Sequence, residues 1–386
     1  MILKSKLPSV GTTIFTEMSA LAAQYGAINL GQGFPDFEMD PALTQLVSQA
    51  MAKGFNQYTH ANGYPALREA LANKMQYLYQ SNINPDTQIT ISPGGTYAIY
   101  TAITTIIHPG DEVIIFEPAY DSYIPNIEIN GGVVVRIPLT FPSYAIPWDE
   151  VRSKISNRTK MIMINSPHNP TGAVLSEQDI IELKKTVAGT NIIILSDEVY
   201  EHLIFEGKTH QSILKHPDLL ARSYVCFSFG KTMHCTGWKL GYAAGSFNWN
   251  QKLRSRHEYN VFCVNSLMQR TFEIFLPKDT IRSSIADFYL EQRNFLLSLL
   301  EGKPFGYIPV QGTYFQWIDG SFLNKEISDV ELAKEWTLNA GCAMIPFSPF
   351  MENYPSDRPL LMRLCFAKSK EKMNKGMNNL FQYLGI

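Results

Sequence analysis

The sequence predicts an α/β protein: a large domain with a mostly parallel, seven-stranded sheet between helices, and a small α+β domain. Three observations predict it. Runs rich in Val and Ile alternate with amphipathic stretches of about ten residues from 88 to 245, the pattern of βαβ units with strands buried on both faces. Beyond residue 248 the pattern changes to long helices followed by short strands. The 386 residues suffice for two to three domains at roughly 150 residues each.

Amphipathic helices are expected at 12–25, 41–53 and 64–80. The alternating region then gives strands at 88–92, 112–116, 132–137, 160–165, 191–195, 224–228 and 240–245. Helices are expected between them at 96–107, 148–156 and 176–187. The last third reads as helices at 248–275 and 285–301, strands at 312–318, 342–346 and 360–366, and a closing helix at 369–384. The expected division is an N-terminal arm and part of the small domain in 1–44, the large domain in 45–275 and the small C-terminal domain in 276–386.

Composition narrows the function classes. With 33 Lys+Arg against 35 Asp+Glu the net charge is −2, which gives no electrostatic reason to seek nucleic acid or an anionic membrane. The longest apolar runs fall far short of the ~20 residues that span a bilayer. Charged residues make up only 18%, low for a soluble chain, so part of the surface is expected to be covered by a partner subunit. The N-terminus MILKSKLPSVG has no apolar signal core, and the five cysteines show no C-x-x-C pair. Both features point to a cytoplasmic protein with reduced thiols.

In open α/β sheets ligands bind beyond the carboxyl ends of the strands, so the residues just past each strand are the candidates for function. Ser92-Pro93-Gly94-Gly95-Thr96 is a glycine turn opening a helix, suited to a phosphate. Glu117-Pro118-Ala119-Tyr120 offers an aromatic face to a flat ligand. Asn165-Ser166-Pro167-His168-Asn169-Pro170 is a polar turn with a candidate cis bond at Pro170. Asp197 and Tyr200 come after the strand 191–195, and Ser228 and Lys231 after 224–228, with Lys239 shortly beyond. Each has an ordinary explanation as a cap or solvated turn residue. On one rim they match an aromatic cofactor bearing a phosphate, a phenol oxygen, a basic ring nitrogen and an aldehyde: pyridoxal 5'-phosphate.

These residues also carry a family resemblance. The run SFGKTMHCTGWKLGY resembles the lysine signature of class I aminotransferases, the fold-type-I pyridoxal-phosphate enzymes. GQGFPDF, NSPHNPTG, SDEVYEHLIF and LMRLCFAK are similar to the family's other blocks, in the same order. The resemblance extends from about Leu30 to Ile386 and is nearest the kynurenine/glutamine transaminase branch, within it bacterial methionine aminotransferases. It implies that Lys231 carries the cofactor as a Schiff base and moves the substrate proton. Asp197 would keep the ring nitrogen protonated, Asn169 and Tyr200 would bond the phenolic oxygen, and Tyr120 would stack on the ring. Gly95, Thr96, Ser228 and Lys239 would hold the phosphate, with Tyr58 reaching in from a neighbouring subunit of a homodimer. Arg363 would grip the substrate α-carboxylate with Asn165 and the Gly33 backbone. Phe34 and Tyr64, with Phe262 of the other subunit, would line an apolar side-chain pocket. Lys239 stands where many relatives have Arg, and Tyr120 where others have Trp or Phe; charge and stacking are kept.

The expected activity is transfer of the amino group of an apolar, thioether or aromatic L-amino acid, methionine foremost, to a 2-oxo acid by a ping-pong cycle. A cysteine-conjugate β-lyase would share every residue named, and a non-catalytic cofactor-binding regulator is a more distant rival. Gly31-Gln32-Gly33 lacks the third glycine of a dinucleotide fingerprint. No spacing of His234, Cys235, His257 and Cys263 suggests a metal. Glu201-His202 reads as a mobile pair flanking a helix, and Arg254 and Arg256 as a solvated helix face.

Overall fold

The computed structural model describes residues 4–7, 10–276, 281–354 and 359–386. Parts of the N-terminal segment and of the 276–386 unit read above lie outside the described residues. In chain order the elements begin with α1 (Ile14–Tyr25), β1 (Ile28–Asn29), α2 (Pro41–Ala52), α3 (Pro65–Tyr79) and α4 (Pro85–Gln88). The alternating region comprises β2 (Ile89–Ser92), α5 (Gly95–Ile106), β3 (Glu112–Glu117), α6 (Tyr123–Glu128), β4 (Val133–Pro138), α7 (Trp148–Lys154) and β5 (Thr159–Asn165). It continues with α8 (Glu177–Val187), β6 (Ile193–Asp197), α9 (Pro217–Leu220), β7 (Ser223–Ser228), α10 (Phe229–Thr232) and β8 (Gly241–Gly245). The remainder comprises α11 (Phe247–Val261), α12 (Ser266–Phe275), α13 (Ile281–Leu300), β9 (Phe315–Asp319), α14 (Asp329–Asn339), β10 (Cys342–Ala343), β11 (Ile345–Pro346), β12 (Leu361–Cys365) and α15 (Lys370–Leu384).

The expected seven strands form one sheet in the order β2-β8-β7-β6-β5-β3-β4. It is parallel from β7 to β4, and only β8 runs against its two neighbours. Strands β2, β3, β5 and β6 are almost wholly buried, so apolar cores lie on both faces. The parallel strands therefore deliver their carboxyl ends to one edge. A second, three-stranded antiparallel sheet orders β11-β12-β9, and β1 of the arm pairs in parallel with β10.

Three local readings are corrected. The helix expected over 248–275 is two helices, because Phe262 adopts a left-handed φ of 67° and the Asn265 side chain caps a new helix at Met268 N. The strand expected at 342–346 is split, since β10 serves β1 while β11 turns to β12. Helix α14 was not anticipated, although Ser328 and Glu331 form a reciprocal capping box at its start.

Glu201 is buried and not mobile. It accepts hydrogen bonds from Lys74 of α3 and from Tyr79, and Lys74 also donates to Tyr242 at 3.0 Å. Burial opposes ionisation, yet Lys74, His202 and Tyr79 outweigh it and hold the carboxyl at about 2. The pair ties α3 to the turn after β6. Lys74→Met is expected to cost about 3–5 kcal/mol, because it leaves a buried carboxylate without its cation. Urea denaturation measures this; a loss under about 1 kcal/mol would mean that the pair contributes no more than a surface one.

Candidate active site

The carboxyl ends of β5, β6 and β7 open on a cavity of about 370 Å³. Its walls include Gly33, Gly95, Thr96, Tyr120, Asn165, Asn169, Asp197, Tyr200, Ser228, Lys231, Lys239 and Arg363, residues that the sequence singled out. They come from the ends of β1, β2, β3, β5, β6 and β7 or the segments that follow them, from the approach to β8 (Lys239) and from β12 (Arg363), which explains their separation along the chain.

One end of the cavity is built for an anion. Gly94 precedes α5 at a φ of +91°, which L side chains rarely adopt, and no side chain caps the helix. Its first-turn N–H groups are therefore presented to the cavity at the positive end of the helix dipole. A Cβ at Gly95 would stand 2.8 Å from Val199 Cγ1, so only glycine lets the helix start this close to the next turn. Lys239 brings its Nζ beside Gly94, and Ser228 and Thr236 complete the end wall.

The middle holds Asp197, the last residue of β6. Its Oδ2 accepts from the Tyr123 hydroxyl at 2.6 Å and its Oδ1 from Val199 N at 3.3 Å. Burial raises its pKa to about 6 despite these donors, so the carboxylate lacks a full counter-charge among the protein groups. Tyr120 lines the same wall, edge-on to Tyr123 at 5.6 Å between centroids. Asn165 fixes the neighbouring turn: its Nδ2 donates to Asp197 O at 2.8 Å and its Oδ1 accepts from Asn169 N at 2.8 Å. The Asn169–Pro170 bond is cis, as expected.

Arg363 closes the other end. It is 1% exposed, lies 3.9 Å from the Phe315 ring centroid and is flanked by Phe15 and Phe350. Nη1 donates to Asn169 Oδ1 at 2.8 Å and Nη2 to Gly31 O at 3.1 Å. Its Nε is buried without a partner among the described residues. Burial lowers its pKa to about 10. A buried guanidinium with an unsatisfied N–H is costly alone and suited to a carboxylate.

Lys231 of α10 projects between these ends. Its Nζ donates to the Tyr314 hydroxyl at 3.0 Å and lies 3.4 Å from Gly33 O. Burial lowers its pKa to about 8, so a useful fraction is the neutral amine near neutral pH. Burial also pushes the Tyr200 phenol well above its ordinary value.

Three expected residues are not brought here within the chain. Tyr58 is 79% exposed and rests edge-on against Phe262, and Tyr64 shares a separate hollow with it. Phe34 points to the surface with the Lys368 ammonium 4.5 Å from its ring centroid. Arg254 is not solvated: it bonds Asp86 O, Ile89 O and Thr90 Oγ1, away from the cavity. His234 packs edge-on to Phe37 and Tyr289.

An uncapped helix end within a glycine cradle, an under-neutralised buried carboxylate, an activated amine and an unpaired guanidinium N–H fit pyridoxal phosphate with an amino-acid substrate. The sequence profile of the family described as aminotransferase class I and II matches residues 25–380. The chain belongs to that family. The aminotransferase is 41% identical to a methionine aminotransferase of Escherichia coli strain K12, over 99% of this chain and 98% of that protein. It is 31% identical to a kynurenine–oxoglutarate transaminase of Dictyostelium discoideum, over 97% and 94% of the two chains. A crystal structure of an Escherichia coli protein with methionine aminotransferase function superposes with a TM-score of 0.95 at 40% identity, covering 99% of this chain and 100% of that one. N-succinyldiaminopimelate aminotransferase of Mycobacterium tuberculosis gives 0.94 at 32%, with the same coverage. The expected fold-type-I architecture, the transferase activity and the pyridoxal 5'-phosphate cofactor thus hold for this aminotransferase.

Sequence reasoning missed Tyr123 and Tyr314, which touch Asp197 and Lys231, and the arm residues Thr13 and Phe15, which line the cavity. Nothing in the sequence separates those tyrosines from core aromatics.

Proposed function

We propose that this aminotransferase moves the amino group of methionine, and of other apolar or aromatic L-amino acids, to a 2-oxo acid in a ping-pong cycle. The observation that carries the substrate class is the cation inventory of the cavity. Among the described residues its lining cations are Lys231, Lys239 and Arg363, and Phe15, Tyr120 and Phe315 contribute apolar surface. With Arg363 taken by the α-carboxylate, a distal carboxylate would lie buried without a partner, beside Asp121. The Escherichia coli relative that acts on methionine supports the same choice.

Bound pyridoxal phosphate supplies the electron sink for the charge left when the substrate loses its α-proton. The chain's own groups prepare and steer that loss. Lys231 would hold the cofactor, and its Nζ would accept and return the proton. Asp197, held by Tyr123, would supply the negative charge that keeps a ring nitrogen protonated. Asn169 has its Oδ1 occupied by Arg363 and so offers Nδ2 hydrogens, beside the Tyr200 hydroxyl, to the phenolic oxygen. Tyr120 would offer its face to the ring, and the α5 terminus with Gly95, Thr96, Ser228 and Lys239 would hold the phosphate. Arg363, one remaining Nδ2 hydrogen of Asn165 and the Gly33 backbone fix the substrate and so orient the bond to be broken.

We also infer a homodimer in which Tyr58, Tyr64 and Phe262, with Phe34 at its rim, complete the neighbouring site; the exposure of Tyr58 and Phe262 supports this. The division into 1–44, 45–275 and 276–386 is proposed from the seven-stranded and three-stranded sheets. Cytoplasmic residence is proposed from the five unpaired cysteines. No helix among the described residues is long and apolar enough to cross a membrane.

The test is kcat/KM for methionine over aspartate with one common acceptor. Methionine is expected to be favoured by at least about tenfold, the lower end of apolar discrimination, with phenylalanine also accepted. A ratio below unity would show a second cation serving the site.

A further inference from the structure

We propose that Tyr314 is a positioning residue for the reaction: its hydroxyl holds the Lys231 amine and ties it to the Gly31–Gly33 segment on which Arg363 is fixed. The inference rests on Lys231 being the reacting amine. Tyr314 is fully buried just before β9. Its hydroxyl donates to Gly33 O at 2.7 Å, which commits its one hydrogen. Towards Lys231 it can then only accept, and Nζ donates to it at 3.0 Å. The direction of both hydrogen bonds is therefore set.

The surroundings restrict the amine further. Nζ lies 5.6 Å from the ring centroids of both Tyr200 and Tyr314, and those rings meet edge-on at 5.2 Å. On the other side, Gly31 O accepts from Arg363 Nη2, and a Cβ on Gly33 would stand 2.7 Å from the Phe315 ring. The segment is thus pressed against β9, next to the residue that bonds it. That hydroxyl, beside the amine's own longer bond to Gly33 O at 3.4 Å, registers the proton-moving amine against the segment adjoining the carboxylate grip. A long, otherwise rotatable lysine gains a defined position relative to the substrate, the condition for an oriented proton transfer. A tyrosine serving only as packing would need no such bond, because Phe fills the same space against Tyr289 and Phe315.

Tyr314→Phe tests this with two readouts. In the cofactor-free protein, acetylation of Lys231 is followed against pH by peptide mass spectrometry. The charged and titratable groups facing the amine are Asp197, Arg363, Lys239, Cys365, Tyr200 and Tyr314, and only the last is changed. Loss of an acceptor disfavours the ammonium, so the labelling midpoint is expected to fall by about one pH unit. In the holoenzyme, the half-reaction with methionine is expected to slow by about tenfold at saturation, with KM changed less. An unchanged midpoint together with a wild-type rate overturns the proposal. Should the Phe variant not fold, Tyr314→His, which retains an acceptor, is compared with Tyr314→Leu; equal labelling profiles overturn it. Failure of Lys231 itself is separate, since it shows as a borohydride-fixed adduct on another lysine.

Discussion

Lys231→Ala is expected to lower transamination by at least about 10³-fold while leaving a folded protein that still binds pyridoxal phosphate. The expected loss is large because in the proposed roles one amine serves twice, holding the cofactor and moving the proton. Among the described residues no other amine is placed to substitute, since the remaining lining cations, Lys239 and Arg363, stand at opposite ends of the cavity. Folding should survive. The amine is buried and shifted down to about 8, so removing it relieves desolvation, and Tyr314 keeps its bond to Gly33 O. Cofactor retention rests on the α5 cradle and Asp197, which the substitution leaves intact. The measurements are turnover, cofactor absorbance after gel filtration, and peptide mapping of wild-type enzyme reduced with borohydride. A pyridoxyl group on any other lysine, or residual turnover above about 1%, the least that general-base catalysis supplies, would sink the assignment.

Much of this site was legible because the fold gathers it by a simple rule. Each parallel strand ends at the same edge, so residues just past the strands had to meet, however far apart in sequence. Asn169, Asp197 and Lys231 are of this kind. The residues that were missed join the site, as lining or as support behind it, by other routes. Tyr123 arrives from a short helix over the sheet, Tyr314 from the approach to β9 in the second sheet, and Phe15 from the arm. Their positions depend on packing between layers, which no periodicity encodes. Tyr58, Tyr64 and Phe34 differ for a related reason: no contact within one chain directs them to its cavity, and Tyr58 was expected there only from a neighbouring subunit. Fold errors had local causes: the left-handed Phe262 broke an otherwise continuous helical pattern, and Met344 let a five-residue apolar run serve two sheets.

The second large effect is expected at Asp197. Asp197→Asn should reduce turnover by about 10²–10³-fold, the scale for losing one aimed electrostatic partner in a dry site. The substitution is nearly isosteric: Asn can accept from Val199 N through its Oδ1 and donate from its Nδ2 to the Tyr123 hydroxyl, so the side chain's placement is kept while its charge is lost. Stability should change little or rise, since a buried carboxyl pushed up to about 6 is already costly to ionise. Phosphate anchoring should also persist, because the α5 terminus and Lys239 lie at the other end of the wall. A residue that merely supported the turn would behave in the opposite way. Its loss would lower stability by about 1 kcal/mol, as for a helix cap, and leave the chemistry near normal. Steady-state kinetics measured beside thermal unfolding therefore separates the two roles. Turnover within about twofold of wild type, far inside the electrostatic range, would remove Asp197 from the electron-sink machinery.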